Sequence, residues 1–137
     1  MSVEQTLLIA AARTAHDQAY APYSNFSVGV ALLDETGTVH SGCNVENAAY
    51  PLGQCAEATA IGNMVMAGGT SIKHLVVLAE ANPPCTPCGG CRQKIREFTT
   101  AKGIPVTICD PDGNIVLELN SAALLPHSFG PENLEKA

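Results

Sequence analysis

The sequence predicts an α/β fold in which helices pack on a five-stranded sheet, and three observations support it. Apolar residues recur at helical spacing in separate segments, and short apolar runs with strand-like patterns lie between those segments. Of the 137 residues, 46% are hydrophobic and 15% are charged, which is typical of a compact globular protein. Because this length allows one sizeable core, we expect residues 1–137 to form a single domain.

A helix followed by a hairpin is predicted at the start of the chain. Ser2 opens a Ser-x-x-Gln capping box, and the apolar residues behind it have helical spacing over residues 3–19. After a proline-containing loop, residues 26–33 alternate large apolar residues with small or polar ones, which indicates a strand. A turn at residues 34–37 then leads into a second strand over residues 39–43.

The rest of the chain alternates between helices and strands. We expect helices over residues 55–67 and 88–99, and strands over residues 72–79, 104–109 and 115–119. The strand over residues 72–79 is almost continuously apolar, which is typical of burial on both faces. Residues 42–53 form a long ordered loop, and loops of this length in compact domains tend to carry function.

The charge of the chain argues against nucleic acid as a partner. The formal net charge is −6, and the 7 lysines and arginines are spread along the sequence rather than clustered. Binding to a polyanion needs clustered cations, so a small uncharged or cationic substrate suits the chain better. No apolar run approaches the length of a membrane span, and the N-terminus lacks a signal-peptide pattern, so we expect a cytoplasmic protein without a membrane partner.

Three cysteines lie at the predicted starts of two helices. Cys88 and Cys91 form a Cys-x-x-Cys pair on one helical face, and Cys55 opens the other central helix. If these helix starts are neighbours at the carboxyl ends of strands, the three sulfurs can converge. Zinc favours such ligands, and three protein ligands leave a fourth position for water. The partial positive charge of two helix N-termini would offset the thiolates.

Other interpretations of these cysteines are buried thiols, a redox pair or a structural zinc site. The chain has no tryptophan and therefore no Trp-Cys-x-x-Cys turn, and no fourth cysteine or histidine lies at ligand spacing beside Cys55. An open metal position would also explain why Glu57 occurs in an alanine-rich helix. A glutamate beside zinc-activated water can accept a proton and pass it on, which is general acid–base catalysis.

The spacing Cys55-x-Glu57, followed by Pro87-Cys-x-x-Cys91, resembles the signature of zinc-dependent nucleoside deaminases. Together with residues 42–50, the chain is similar over nearly its whole length to the small tetrameric cytidine deaminases. The resemblance implies a three-layer cytidine-deaminase-like fold, with a central mixed five-stranded sheet flanked by helices. It also implies hydrolytic deamination of cytidine and 2′-deoxycytidine in pyrimidine salvage, with release of ammonia.

The resemblance also implies roles for individual residues. Cys55, Cys88 and Cys91 would hold one zinc ion per subunit, and Glu57 would be the catalytic proton shuttle. Water activated at the zinc would add to C4 of cytosine while Glu57 protonates N3 and then the leaving amine.

Four further positions match substrate contacts of the family. Asn44 and Glu46 match the positions that bind the sugar hydroxyls, which an amide and a carboxylate can do in a partly dry site. Phe26 matches the position that packs on the pyrimidine ring, and the backbone of Ala56 matches the position that faces the ring carbonyl or N3. The residues alone also allow a turn-forming Asn44 and a core Phe26.

Two aromatic residues resemble ones at subunit contacts of the family. Phe129 would close the pocket of a neighbouring subunit and Tyr50 would lie near a subunit contact, although both could be packing residues. The resemblance implies a homotetramer with pockets completed across its interfaces. Cys43, Cys85 and Cys109 are expected to be passive thiols, and the 4 histidines have no expected role as ligands.

Ala58 departs from the family pattern. In relatives with three cysteine ligands an arginine commonly follows the glutamate, and it would donate hydrogen bonds to ligand sulfurs. Its absence predicts a less electrophilic zinc unless Gln93 or Arg92 compensates. Blasticidin-type deaminases also lack this arginine, so a modified cytosine nucleoside such as blasticidin S is an alternative substrate. A non-catalytic zinc-binding module is a second alternative, and the acidic charge disfavours a third, an editing deaminase that acts on nucleic acid.

Overall fold

The computed structural model describes residues 1–135, and its centre is a five-stranded mixed sheet. The helices are α1 (Val3–Asp17), α2 (Ala56–Met66), α3 (Gly89–Glu97) and α4 (Ser121–Leu124), and the strands are β1 (Val28–Asp34), β2 (Val39–Cys43), β3 (Ile72–Ala79), β4 (Pro105–Cys109) and β5 (Ile115–Asn120). The strand order is β2-β1-β3-β4-β5, and neighbouring strands are antiparallel except for the parallel pair β3 and β4. Within residues 1–135, no helix combines the length and the apolar character needed to cross a membrane.

The sheet separates two hydrophobic cores, because successive residues of a strand point to opposite faces. In β3, Leu75 and Val77 pack into the core that contains residues of α2 and α3. Val76 and Leu78 pack into the other core, which contains residues of α1. All four side chains are fully buried, so the predicted burial of this strand on both faces is confirmed. Helix, sheet and helix therefore form three layers.

The ends of the elements differ from the sequence-based expectation by a few residues. β1 begins at Val28 rather than Phe26, because the Phe26 backbone bonds to side chains instead of to a neighbouring strand. Its N–H donates to Ser24 Oγ at 3.0 Å, and its carbonyl accepts from Asn44 Nδ2 at 2.8 Å.

Three short elements were not predicted. They are α4 and two single turns of 3-10 helix, Tyr50–Leu52 and Pro131–Asn133. Elements this short contain too few residues to show helical periodicity in a sequence.

The topology brings the starts of α2 and α3 to the same end of the sheet. α3 lies in the crossover between the parallel strands β3 and β4, so it begins near the carboxyl end of β3. α2 packs closely on β2, where a Cβ on Gly42 would lie only 2.4 Å from the backbone nitrogen of Ala60. Glycine at this position allows α2 to approach the sheet closely. The starts of α2 and α3 lie next to each other, since the residues that precede the two helices, Cys55 and Cys88, have Sγ atoms 3.9 Å apart.

Candidate metal centre and active-site cleft

Cys55, Cys88 and Cys91 come together in one cluster. Their sulfur atoms all lie within 4.8 Å of one another, and the Sγ atoms of Cys55 and Cys88 are 3.9 Å apart. Three thiolates bound to one tetrahedral zinc at about 2.3 Å are separated by about 3.8 Å, so this donor set fits zinc. The expectation that the two helix starts meet and their sulfurs converge is confirmed.

Each cysteine of the cluster lies at a helix N-terminus. Cys55 is the N-cap of α2, Cys88 is the N-cap of α3, and Cys91 lies in the first turn of α3. The N–H groups at these positions have no acceptor within the helix and carry partial positive charge, which stabilises thiolates. The backbone N–H of Cys91 lowers the pKa of the Cys88 thiol.

Burial acts in the opposite direction on the other two thiols. Desolvation raises the pKa of Cys55 and, more strongly, that of Cys91, which is only 1% exposed. A bound divalent metal reverses this preference, because a coordinating thiol is deprotonated outright. A metal ion therefore allows all three sulfurs to share this small volume as thiolates.

Glu57 is a buried carboxyl group on the first turn of α2, and only 5% of it is exposed. Desolvation raises its pKa, while a hydrogen bond with Cys91 and the positive charge of Lys94 lower it. A carboxyl group with a raised pKa accepts a proton more readily than an ordinary carboxylate and can release it again. These are the properties of a general acid–base residue.

A cavity of about 270 Å³ includes Cys55, Cys88 and Glu57 in its walls. The lining also includes Val28 and the loop that follows β2, residues 44–46. The ionisable groups of the lining are carboxyls and thiols, and no lysine or arginine of residues 1–135 belongs to it. The cavity therefore accepts a neutral or cationic group more readily than a phosphate.

Asn44 connects the loop after β2 to the start of β1. Its Oδ1 accepts the N–H of Val28 at 2.9 Å, and its Nδ2 donates to the carbonyl of Phe26 at 2.8 Å. These two partners fix the orientation of the amide, since an N–H must meet the oxygen and a carbonyl must meet the nitrogen. One amide proton and one lone pair are left for a ligand. The structural role and the ligand-binding role of Asn44 are therefore compatible.

Glu46 is held by the loop that precedes β1. Its carboxylate accepts the N–H groups of Tyr23 at 3.0 Å and Ser24 at 3.1 Å, as well as the hydroxyl of Ser24. These bonds, above all the one from the Ser24 hydroxyl, lower the pKa of Glu46 and keep it ionised. Glu46 lines the cavity beside the cluster and also an adjoining one of about 320 Å³, whose walls include Tyr23 and Tyr50.

Phe26 and Ala56 occupy very different environments. Phe26 precedes β1, is 39% exposed and belongs to neither of the two hydrophobic cores. Ala56 is 1% exposed, lines the cavity and is the first residue of α2. Its backbone N–H is one of the four at the helix start that have no acceptor within the helix.

Residues 2–107 match the family described as the cytidine and deoxycytidylate deaminase zinc-binding region. The chain belongs to this family. A cytidine deaminase of Sporosarcina psychrophila is 47% identical over 137 residues, which cover 100% of this chain and 98% of that relative. The cytidine deaminase structure from Burkholderia pseudomallei superposes with a TM-score of 0.84 at 40% identity, over 94% of this chain and 100% of that one. The structure from Mycobacterium tuberculosis gives a TM-score of 0.80 at 33% identity, over 94% and 99%.

Family membership confirms several of the sequence-based predictions. The resemblance to cytidine deaminases, the mixed five-stranded sheet between helices and the zinc-binding character of the chain are all borne out. All 6 cysteines are free thiols in the structure, so none is consumed in a disulfide that would compete with metal binding.

Arg92 fixes the segment that carries Cys88. Its Nε donates to the carbonyl of Pro87 at 2.7 Å, its Nη2 to the hydroxyl of Thr86 at 3.1 Å, and its Nη1 to the carbonyl of Leu124 at 3.0 Å. All three guanidinium nitrogens therefore have partners away from the cluster. Arg92 does not take the place of the arginine that the family pattern has at position 58.

Gln93 and Arg96 hold the C-terminal segment that contains Phe129. Gln93 Nε2 donates to the carbonyl of Phe129 at 2.9 Å, and Arg96 Nη2 binds the carboxylate of Glu132 at 2.6 Å. A Cβ on Gly130 would lie 2.4 Å from the guanidinium carbon of Arg96, so only glycine allows this contact. The side chain of Phe129 is 56% exposed on this anchored segment.

Sequence reasoning did not single out Tyr23 and Ser24, which hold Glu46, and it took Cys85 for a passive thiol. The sequence predicts a polar, proline-containing loop around the first two residues, but no local pattern shows that this loop contacts residue 46. Cys85 forms a second Cys-x-x-Cys pair with Cys88 and lines the cavity. It lies outside the group of three converging sulfurs, and burial raises the pKa of its thiol.

Proposed function

We propose that this chain catalyses the zinc-dependent hydrolytic deamination of cytidine and 2′-deoxycytidine, which yields uridine or 2′-deoxyuridine and ammonia. The observation that carries this proposal is the cluster of Cys55, Cys88 and Cys91 beside the buried Glu57, at a cavity whose walls include Cys55, Cys88 and Glu57. The similar proteins named above are cytidine deaminases, which supports the same substrate class. We further propose that residues 1–137 form one catalytic domain.

The chemistry divides between the metal and Glu57. The three thiolates would hold one zinc ion, which when bound supplies Lewis acidity that lowers the pKa of water in the site. Glu57 accepts a proton from the attacking water and delivers it to N3 as the new oxygen–C4 bond forms. It then takes the remaining proton from the new hydroxyl group on C4 and transfers it to the exocyclic amine as the C4–N4 bond breaks, so that ammonia leaves and a carbonyl stands at C4.

The nucleoside would be bound by four residues, which are Asn44, Glu46, Ala56 and Phe26. The ionised carboxylate of Glu46 accepts a sugar hydroxyl, and the remaining amide proton of Asn44 donates to one. The backbone N–H of Ala56 donates to the pyrimidine carbonyl or N3, and the ring of Phe26 packs on the base. Glu46 repels a phosphate on the sugar, so a nucleoside is favoured over a nucleotide and over nucleic acid.

We also propose that the active form is a homotetramer with cavities completed by neighbouring subunits. Tyr50 and Phe129 are 74% and 56% exposed, and Tyr50 lines the cavity that adjoins Glu46. Large exposed aromatic side chains beside a binding cleft are typical of surfaces that an assembly covers. A cytoplasmic location agrees with a site built from reduced thiols.

Release of ammonia from purified, zinc-loaded protein tests this proposal. We expect turnover of cytidine and 2′-deoxycytidine, with the corresponding absorbance change of the pyrimidine, and no turnover of deoxycytidine monophosphate or single-stranded DNA. Turnover of blasticidin S alone would replace the proposal with a modified cytosine nucleoside as the substrate. Bound zinc without turnover of any of these compounds would contradict the enzymatic proposal and favour a non-catalytic module.

A further inference from the structure

The three thiolate ligands of the proposed metal centre carry more negative charge than one zinc ion neutralises. Three thiolates around one divalent cation leave a net negative charge, and the carboxyl group of Glu57 lies beside them. Two helix N-termini offset part of this charge. A cation near the first turns of α2 and α3 would offset more of it, and the position of each lysine and arginine therefore matters.

The arginines of the described chain are engaged elsewhere. All three guanidinium nitrogens of Arg92 donate to the loop and α4 partners described above. Arg96 binds Glu132 in the C-terminal segment. Arg13 lies on α1, across the sheet from the metal centre, and donates to the carbonyl of Asp112 at 3.3 Å.

Lys94 lies where such a cation would be useful. It follows Cys91 by three residues on α3, and Ala58 follows Cys55 by three residues on α2, so each lies one helical turn after a ligand. Lys94 and Ala58 line the same cavity, of about 460 Å³, between the two helices. The methyl group of Ala58 leaves this cavity open, and no ion pair found within residues 1–135 involves Lys94.

We propose that Lys94 supports the metal centre by extending its ammonium group into the space left by Ala58, where its charge stabilises the metal-bound thiolates. A lysine suits this task because its ammonium is a compact charge with three donors on a flexible stem. Residues that act on metal ligands in this way typically change metal affinity by about 10- to 100-fold. This inference rests on the proposed zinc site, but not on which nucleoside is deaminated.

Metal affinity of the full chain provides the test, measured for zinc by competition with a chromophoric chelator. We expect Lys94→Met to weaken zinc binding by about tenfold and Lys94→Arg to retain it. Adding Ala58→Arg to Lys94→Met should restore most of the affinity, because the new cation enters the same cavity. Lys102→Met is the matched control, since it removes an equal charge from an exposed turn outside this cavity.

Salt dependence separates an electrostatic role from a packing role. The difference in zinc affinity between the wild-type protein and Lys94→Met should shrink as ionic strength rises, because Lys94 is exposed and its charge is screened. Lys94→Gln provides a second neutral variant, and circular dichroism should match the wild type before any affinity is compared. Zinc affinities of Lys94→Met and Lys94→Gln equal to that of Lys102→Met at low salt would overturn the inference.

Deamination is a separate readout. A zinc affinity that depends on Lys94, in a protein that turns over no nucleoside, would contradict the proposed function and leave the inference on Lys94 standing. Turnover of cytidine by a protein whose zinc affinity does not depend on Lys94 would support the proposed function and overturn the inference on Lys94.

Discussion

A different feature of the surroundings shifts the pKa of each of three ionisable residues in the cleft. Cys88 has a lowered pKa because a backbone N–H of its helix points at the sulfur, whereas Glu57 has a raised pKa because it is buried. Glu46 remains ionised because Ser24 and the adjacent backbone donate to it. One small region thus contains a carboxyl group that binds a proton more readily than usual, Glu57, and a carboxylate that stays ionised, Glu46.

Replacement of Glu57 by glutamine tests the proton-carrier role. We expect Glu57→Gln to lower kcat for cytidine by about 10²- to 10⁴-fold, because the amide has nearly the same shape but cannot carry the proton. Zinc content should remain close to that of the wild-type protein, since the three cysteines are unchanged. Wild-type turnover by zinc-loaded Glu57→Gln would contradict the role, and loss of zinc would show that Glu57 has a structural function instead.

Replacement of Glu46 by glutamine tests the sugar contact. A hydrogen bond to a charged group is typically worth about 1.5–3 kcal/mol, so we expect kcat/KM for cytidine to fall by about 10- to 100-fold, mainly through KM. Glu35→Gln is a suitable control, because that carboxylate binds the backbone and hydroxyl of Thr70 rather than the cleft. An unchanged KM for Glu46→Gln would exclude Glu46 from the binding of the sugar.

At the scale of the elements, α3 organises three parts of the site. Its N-cap is Cys88 and its first turn contains Cys91, while Arg92 binds both the preceding loop and α4. Further along the helix, Gln93 and Arg96 hold the C-terminal segment that contains Phe129. A helix of nine residues therefore joins the metal ligands to the segment that we expect to reach a neighbouring subunit.

Replacement of Arg92 by methionine tests how far the helix fixes the ligand loop. The Arg92→Met variant leaves the carbonyls of Pro87 and Leu124 without their donor, so we expect a loss of about 1–3 kcal/mol in the free energy of unfolding. Zinc should also dissociate faster, because Cys88 follows Pro87 directly. The measurements are denaturant unfolding and the rate of zinc transfer to a chelator. Arg13→Met is the control, and equal effects of the two variants would show that Arg92 does not position Cys88.

At the scale of the whole molecule, buried polar pairs tie the sheet together away from the cleft. Asp34, at the end of β1, is 4% exposed and accepts hydrogen bonds from Thr36, Thr38 and the Nε2 atom of His40, the last at 2.7 Å. On the α1 face, His74 binds Glu4 at 2.7 Å. These contacts link residues of neighbouring elements, so their contribution is to the stability of the fold rather than to catalysis.

Asp34 should make stability depend on pH in the acid range. The hydroxyl of Thr36 and the ring of His40 hold the pKa of Asp34 well below its ordinary value. Because the folded pKa is lower than the unfolded one, this stabilisation is complete above about pH 5, begins to be lost as pH falls below about 4, and is lost fully only as pH falls through the folded pKa. We expect Asp34→Asn to lower Tm at pH 7, and the difference from the wild-type Tm to be smaller at pH 3.

The comparison should use metal-free protein, so that acid release of zinc does not contribute to the difference in Tm. Asp112→Asn, in an exposed turn, provides the control for removal of one carboxylate. A difference in Tm between wild type and Asp34→Asn that stays constant from pH 7 to pH 3 would contradict this assignment.

Much of the fold could be predicted from local sequence patterns, because helix capping and the spacing of apolar residues depend on residues that are close together in the chain. The Ser2 capping box, the continuous apolar run of β3 and the alternation in β1 each predicted an element that the structure contains. The ends of these elements were less accurate, since they depend on contacts from distant residues. β1 begins late because Asn44, eighteen residues after Phe26, binds the Phe26 carbonyl. The short α4 was missed because four residues show no periodicity.

The sequence by itself determined the metal-ligand set and the family, because Cys55-x-Glu57 and Pro87-Cys-x-x-Cys91 place specific chemistry at fixed spacing on two helix starts. Only the tertiary structure decided which side chains surround that set. In the structure Arg92 donates to the carbonyl of Pro87, and Ser24 donates to Glu46. Lys94 and Ala58 line one cavity between α2 and α3. The physical reason is that the charge and the hydrogen-bonding groups of a side chain interact with the residues that are close to it in space. Those neighbours are set by how the helices pack on the sheet, which no local pattern records.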